Sequence, residues 1–478
     1  MKSNNKTSRR NFLKNTASVS AVTTAVVSSV VSPYFFSSEQ PVRAEAPSGR
    51  VRIGCIGVGS LGRPEATAFS RIADVAAISD VDTSHMEEAL APHEKIGIVR
   101  DNKITPPDKI KDYRNILDRK DIDTVCIVTP DHWHVKIAVE ALQAGKHVFC
   151  QKPLTLTVEE GQLIRNACKK YNRVFQVGTQ QRTDFRRHFL NAVILIQKGL
   201  IGNIKNILCH IDGSPSCAAI PKAQSPETLD FEKWLGQAPL VDYIATESQH
   251  KERQNYWPRN SRTHYEFRWW YEYSGGKFTD WGAHHVDIAL WAINQNNAGQ
   301  GPISFNPISV EHPVPFKEGY PTINNQYNTA TKFDIECKFE NGIVMNIVSH
   351  SKVGNGILFT GEKGRIHVSR GHLNGKPVED LKGDLSEYIK EEDYIKAYNG
   401  QKPEGHKQNF ISCIKNGGLP ISDVVTHVQA MNVCHLAAIA ARLGREIKWD
   451  PKNEKAGDKQ TQSFIARERR KGYDIPVV

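Results

Sequence analysis

Six residues constrain this chain more than any others: Gly57-Val58-Gly59-Ser60-Leu61-Gly62. They close the apolar run Val51 to Gly57 and open onto Pro64 to Ser70, which the spacing predicts as a helix. A GxGxxG pattern between strand and helix has a mechanical reading. The first glycine makes a tight turn, the second lets backbone approach a pyrophosphate, and the third lets helix and strand pack closely. The helix N-terminus then offers N–H donors to phosphate oxygens. A second apolar run, Asp74 to Ser79, ends at Asp80, 23 residues beyond Gly57. A carboxylate there accepts from ribose hydroxyls and repels a 2′-phosphate, so NAD is the expected cofactor and NADP the alternative. Gly57, Val58, Gly59, Ser60, Leu61, Gly62 and Asp80 are therefore candidate cofactor-binding residues.

The pattern continues as strand and helix in alternation. Thr124 to Thr129, Lys146 to Cys150 and Arg173 to Val177 read as buried strands. Between them, Tyr113 to Leu117, Lys136 to Ala144 and Thr157 to Lys170 read as helices, with Gly145 as a stop. This spacing predicts an α/β fold with a doubly wound parallel sheet. After residue 178 the texture changes. Helix Phe189 to Lys198 leads into strand Ile204 to Asp212, then into a stretch over 213–275 dense in Trp, Tyr, Pro and His. Short alternating segments recur over 308–369, and Asn341-Gly342 is a strong hairpin signal. Helices are expected near His406 to Lys415 and Thr426 to Arg442, and the tail from Asp450 reads as polar and irregular. The expected division is a leader over 1–44, a Rossmann domain over 45–178, an α+β domain with an antiparallel sheet over 179–450 and a tail over 451–478.

The leader reading rests on Ser8-Arg9-Arg10-Asn11-Phe12-Leu13-Lys14 and the mildly apolar stretch Ala17 to Val31. Together they read as a twin-arginine signal, with cleavage expected after Ala44. The stretch is too polar and interrupted for a stable transmembrane anchor. The expectation is export in the folded state to the periplasm or another extracytoplasmic space, with the twin-arginine export machinery as a partner. Free nicotinamide cofactor is scarce there, so the cofactor is expected to be captured before export and carried tightly bound. The formal net charge of +10 overstates the mature protein, because residues 1–44 hold +5 of it. The remaining charges are mixed, and no nucleic-acid footprint stands out. The nine cysteines are scattered, with no CxxC pair and no zinc spacing. They read as buried single thiols, in keeping with folding in a reducing compartment.

Two segments carry candidate reaction chemistry. Gln151-Lys152-Pro153 follows a parallel strand, and the carboxyl ends of such strands line the ligand crevice. An ammonium there polarises a hydroxyl or carbonyl oxygen. The second segment runs Asp280-Trp281-Gly282-Ala283-His284-His285-Val286-Asp287. As one helix it sets Asp280, His284 and Asp287 on one face, with His285 turned about 100° away. An imidazole beside carboxylates relays a proton near neutral pH. A metal site is the rival reading, but Asp-x-x-x-His-x-x-Asp lacks a third ligand segment, so no metal is expected. The aromatic run Phe267 to Tyr273 reads either as a wall for a sugar ring or as core packing. Arg182, Trp270 and His285 are the expected substrate contacts.

Taken together, these segments resemble the glucose–fructose oxidoreductase, inositol dehydrogenase and rhizopine-catabolism family, Gfo/Idh/MocA. The resemblance spans about residues 50–450. It includes Gly57 to Gly62, Thr129-Pro130-Asp131-His132-Trp133-His134, Lys152-Pro153 and Asp280-x-Gly282-x-His284-x-x-Asp287. It also includes Phe359-Thr360-Gly361-Glu362-Lys363-Gly364 and His406-x-x-Asn409-Phe410. The resemblance implies a Rossmann domain followed by a mostly antiparallel open-faced sheet, and a dimer or tetramer. It implies Lys152, Asp280 and His284 as the catalytic set, with Thr129, Pro130, His134 and Gln151 beside the cofactor. One departure is Gln151 where the family carries Glu before Lys-Pro; it lowers the negative field on Lys152 and leaves the lysine in place. The expected activity is hydride transfer to or from a sugar, cyclitol or glycoside. The alternatives are an NAD-dependent glycosidase or lyase, acting by transient oxidation and elimination, and a non-catalytic sugar-binding protein. The branch that works by elimination usually lacks the Lys-Pro pair kept here.

Overall fold

The computed structural model describes residues 49–91, 94–100, 103–246, 260–381 and 384–478. The twin-arginine segment and its cleavage position lie outside these residues.

The first half builds a six-stranded parallel sheet. Its strands run in the order Asp108–Lys109, Asp74–Ser79, Arg52–Ile56, Thr124–Ile127, His147–Gln151, Phe175–Gly178. The reversal of direction between Arg52–Ile56 and Thr124–Ile127 is the switch point where such sheets open a ligand crevice. Every residue of Asp74–Ser79 and of Thr124–Ile127 is buried, as expected for strands covered on both faces. Helix Gly62–Ser70 begins at the last glycine of the turn. The helix expected from Lys136 begins earlier, spanning Asp131–Gln143. Pro130, at φ −58°, sets up its first turn, and the acidic Asp131 suits the positive end of the helix. Helix Val158–Tyr171 starts on Thr157, whose hydroxyl accepts from the Glu160 N–H.

The second half builds a nine-stranded sheet. Its order is Leu373–Asn374, Arg365–Val368, Gly356–Gly361, Ile204–His210, Val344–Val348, Lys332–Phe339, Pro302–Glu311, Ile447–Asp450, Lys455–Ala456. All neighbours are antiparallel except Val344–Val348 against Ile204–His210. Helices Gly282–Ala292 and Val424–Leu443 belong to the core that covers one face of this sheet. The latter helix is long and apolar enough to cross a bilayer, yet 94% of its apolar window is buried within the protein. The tail corrects the sequence expectation. Lys455–Ala456 forms the edge strand against Ile447–Asp450, and Asp458 caps a short helix, Lys459–Ser463, by accepting from the Thr461 N–H. All nine cysteines are free, and all but Cys217 are buried.

The aromatic-rich stretch between the sheets forms its own small core around Trp234, Tyr243, Phe267, Trp269, Trp270 and Tyr273. It is also tied to the Rossmann half by backbone. The Thr83 N–H donates to Thr228 O at 2.9 Å, and the Asp230 N–H donates to Val81 O at 3.0 Å. The Trp133 indole N–H donates to Trp234 O at 3.0 Å. The crevice at the switch point is therefore roofed by residues from far along the chain.

Candidate active site

Two of the glycines in the turn admit no side chain. Gly57 has φ +83°, and a Cβ there would lie 2.6 Å from Val128 O. A Cβ on Gly62 would lie 2.1 Å from Gly57 O. The turn runs along a cavity of about 360 Å³, lined by Gly57, Gly59, Ser60, Leu61 and Gly62. Val58, also expected here, is absent from that lining; its side chain is fully buried in the sheet core, and its N–H donates to Asp80 Oδ2 at 2.9 Å. Asp80 Oδ1 accepts from the Asp82 N–H at 2.9 Å, so the carboxylate is fixed at the cavity wall.

Thr129, Pro130, His134, Gln151 and Lys152 line the other end of the same cavity. Thr129 Oγ1 and Gln151 Nε2 are buried without a hydrogen-bond partner among the described residues. Buried polar atoms are rarely left unpaired, so these two atoms are available to a ligand. A glycine turn that excludes side chains, a fixed carboxylate at the end of the second strand and free polar atoms at the far end fit a dinucleotide. His134 has a different role from the expected contact. Its ring nitrogens lie 2.7 Å from Pro153 O and 2.8 Å from Thr129 O, so it braces the two strand-end loops. Burial pulls the imidazole down to about 4, which leaves it neutral near pH 7.

Lys152 reaches from the cavity to Asp280. Its Nζ donates to Asp280 Oδ1 at 2.6 Å and to Asp280 O at 2.9 Å. Burial alone would raise the Asp280 carboxyl. The charges of Lys152 and Arg268 and the hydrogen bond from Lys152 outweigh it and hold the group at about 2. Arg268 Nε lies 4.0 Å from the same oxygen. Asp131 behaves oppositely. Burial lifts it to about 7 against a 2.5 Å hydrogen bond from the Ser274 hydroxyl.

His284 is buried, and its Nδ1 has no protein partner. Burial, followed by the charge on Lys152, holds its pKa well below the ordinary histidine value. The ring is therefore neutral and able to accept a proton. The single helical face expected for Asp280, His284 and Asp287 does not form. The helix breaks at Trp281, between Lys277–Asp280 and Gly282–Ala292. Asp280 pairs with Lys152 and Asp287 with Arg182, so the expectation of carboxylates serving the His284 imidazole is corrected.

The three expected substrate contacts also need correction, because each is buried with its polar atoms committed to protein partners. Arg182 is buried, donating to both carboxylate oxygens of Asp287 at 2.6 and 2.7 Å and to Ile421 O at 2.7 Å. Trp270 is fully buried, its indole N–H donating to Ser261 O at 2.9 Å and its ring covered by Arg262. His285 is held between Gln181 and Asn355, each at 2.9 Å. From the same aromatic run, Phe267 and Arg268 do line the cavity, together with Tyr265 just before it.

Other lining residues escaped the sequence reading. His264 Nε2 lies 3.0 Å from Asp82 Oδ2, a pairing across 182 positions that no local pattern signals. Donor atoms of Asp82, His85 and His264 lie within 4.8 Å of one another. The expectation of no metal considered only the 280–287 segment and did not reach this group. Tyr473, from the tail, completes a wall with Trp133. Arg268 had a visible signal, a cation inside an aromatic run.

Comparison with known proteins follows this geometry. Residues 51–179 match the Gfo/Idh/MocA profile described as an oxidoreductase family NAD-binding Rossmann fold. Residues 216–475 match that family's C-terminal alpha/beta domain. A glycosyl hydrolase family 109 protein of Shewanella putrefaciens is 30% identical over 208 residues, 41% of this chain and 44% of its own length. The uncharacterized oxidoreductase YrbE of Bacillus subtilis is 31% identical over 242 residues, 50% of this chain and 53% of its own. The chain thus spans about half the length of these curated relatives. A levoglucosan dehydrogenase solved with NADH and levoglucosan superposes with a TM-score of 0.53 at 19% identity, over 83% of this chain and 99% of its own. At that identity the likeness concerns the fold.

Proposed function

The chain belongs to the Gfo/Idh/MocA oxidoreductase family, and from that premise we propose that it moves hydride between NAD and a ring hydroxyl or ketone of a sugar, cyclitol or glycoside. The observation that carries this reading is the Lys152–Asp280 pair at the cavity wall, with the neutral His284 buried nearby. The bound nicotinamide supplies the hydride acceptor or donor. The glycine turn and the start of helix Gly62–Ser70 would hold the diphosphate, Asp80 the adenosine ribose, and Thr129 and Gln151 the other end.

The protein's own work is charge and proton placement. Lysine has three N–H donors. Asp280 takes two from Lys152, through its carboxylate and its carbonyl, and the third is left for a substrate oxygen. Asp280 thereby aims the ammonium. A cation at that oxygen stabilises alkoxide character as the hydroxyl proton leaves. We assign His284 Nδ1, buried with no hydrogen-bond partner among the described residues, as the acceptor for that proton.

A second reading draws on the family 109 relative. Transient oxidation of a sugar hydroxyl acidifies the neighbouring C–H, elimination releases the glycosidic substituent, water adds to the resulting enone, and the ketone would take the same hydride back, leaving no net oxidation. It uses the same lysine and histidine. Export by the twin-arginine route, with the cofactor captured beforehand, is part of the proposal and rests on residues 8–14. So is a dimer or tetramer joined through the sheet face on which Ile308 is 56% exposed.

The deciding experiment is to purify the protein, identify the nucleotide that accompanies it and mix the holo form with neutral and acidic sugars and glycosides. Growth of reduced-nicotinamide absorbance supports hydride transfer. Release of aglycone with no net absorbance change supports the second reading. Neither response from any sugar, with nucleotide bound, would leave a non-catalytic sugar-binding protein.

A further inference from the structure

The reaction centre holds more positive charge than it answers. Lys152 is matched by Asp280, and Arg268 approaches that same carboxylate at 4.0 Å. Two further cations stand near it. Lys277 Nζ lies 5.7 Å from the centroid of the Trp281 ring, and the Arg370 guanidinium lies 4.4 Å from it. Among the described residues, neither has a carboxylate within ion-pair distance. Arg370 is also close enough for its charge to bear on the His284 ring, and for Asp280 to bear on Arg370.

Arg370 is held in place rather than left to wander. Its guanidinium is 4.7 Å from the Phe185 ring centroid as well as 4.4 Å from that of Trp281, and its Nε donates to Gln181 Oε1 at 3.3 Å. Stacking on aromatic faces fixes the plane of an arginine while leaving its edge donors free. Phe185 reaches this position from an unusual backbone. Phe185, Arg186 and Arg187 have φ of +55°, +54° and +60°, three successive left-handed residues without a glycine. Such strain persists only where surrounding structure over-determines it. Asp131 adds only about half a negative charge at pH 7, since burial lifts its carboxyl to about 7. An oxidised nicotinamide would add a positive charge of its own.

We propose that the substrate is an anionic sugar, bearing a ring carboxylate or a sulfate ester, and that Arg370 and Lys277 recognise the anion beside Trp281. A planar guanidinium takes a carboxylate or sulfate through two parallel hydrogen bonds, with Lys277 as a second, adjustable charge. This inference rests on the sugar-oxidoreductase reading and names its substrate class.

The test is calorimetric binding to the purified holoprotein, so it does not depend on turnover. Matched probes are methyl glucuronide against methyl glucoside, methyl galacturonide against methyl galactoside, and methyl glucoside 6-sulfate against methyl glucoside. At least one anionic member should bind roughly 10- to 100-fold tighter than its neutral counterpart, the range expected for a charge-assisted hydrogen-bonded pair. The carboxylate and sulfate arms identify which anion is read. Arg370→Gln and Lys277→Gln should each remove most of that preference and leave neutral-sugar binding unchanged. Arg370 lies on an exposed turn, so its variant folds even if the Lys277 variant does not. The inference is overturned if no anionic member outbinds its neutral counterpart, or if the preference survives Arg370→Gln. A neutral sugar that reduces the nicotinamide with no anion preference sinks the substrate class and spares the oxidoreductase reading.

Discussion

Asp280 and Asp287 stand seven residues apart, and each grips a buried cation, yet the two ion pairs do opposite jobs. In the Lys152–Asp280 pair the side chains keep 13% and 14% of their surface. In the Arg182–Asp287 pair they keep 2% and 1%. The number of spare donors tells them apart more sharply. Lys152 gives two N–H groups to Asp280 and faces the cavity with the third. Arg182 gives its donors to Asp287, Ile421 O and Thr426 Oγ1, and its plane stacks on Trp291. A saturated cation locks elements together. An unsaturated one beside a cavity can act on a ligand.

The largest expected effect falls on the unsaturated pair. Lys152→Ala and His284→Ala should each lower turnover by about 10²- to 10⁴-fold while the nucleotide stays bound. The double variant should be little worse than the poorer single one, because groups that act as a unit are not additive. If Lys152→Ala instead loses the cofactor and keeps turnover per holoenzyme, Lys152 is a cofactor clamp and the contrast drawn above collapses.

The saturated pair should show up in stability. Arg182→Ala leaves Asp287 buried and unanswered, which costs about 3–5 kcal/mol. Denaturant unfolding should show that loss, and molecules still folded should turn over normally. A stable Arg182→Ala protein with impaired turnover would place Arg182 at the substrate after all.

The contrast also has a pH signature, carried by Asp131 and Asp280. The Asp131 carboxyl is raised by burial to about 7, so its contribution to stability is full below the unfolded value near 4 and is lost as pH rises toward 7. Asp280 is lowered to about 2, so its contribution is present above about 4 and is lost as pH falls toward 2. Asp131→Asn should therefore gain in Tm relative to the parent as pH rises from 4 to 8, whereas Asp280→Asn should be less stable than the parent by a constant amount above pH 4 and approach it as pH falls toward 2. A Tm difference for Asp131→Asn that is flat with pH would contradict the burial argument.

Smaller effects sharpen the picture. Asp80→Ala should shift the NADP-to-NAD affinity ratio by about tenfold or more toward NADP, because a like charge beside the 2′-phosphate is removed. Titration with both nucleotides reads it directly, and an unchanged ratio would mean Asp80 serves the turn through Val58 and Asp82 alone. His285→Ala should cost less than about tenfold in turnover, since both its ring nitrogens are taken up by Gln181 and Asn355. A larger loss there would exchange the roles of the two histidines.

Local physics explains which parts were legible in the sequence. The glycine turn, Asp80 and the alternating strands are short-range patterns, so the parallel sheet and the cofactor crevice could be read from neighbouring residues. Lys152 was visible because it follows a strand at the sheet's carboxyl edge. The helical phase of Asp280, His284 and Asp287 was misread because the ladder is interrupted at Trp281, where the Asp280 carbonyl accepts from distant Lys152 and the His284 N–H turns to Trp281 O. Arg182 and Trp270 looked like ligand contacts by type, and only burial shows them to be structural. His264 on Asp82 and Arg370 on Trp281 join residues 182 and 89 positions apart, beyond any periodicity.

The central claim is that Lys152 and His284 move a hydroxyl proton so that NAD can take up hydride from a sugar. The measurement closest to it is a single-turnover record of reduced-nicotinamide absorbance, taken as holoprotein is mixed with a sugar that binds. The account predicts one equivalent of reduced nicotinamide per bound nucleotide in the parent, slowed about 10²- to 10⁴-fold in Lys152→Ala and in His284→Ala. Reduction at the parental rate in both variants would contradict it.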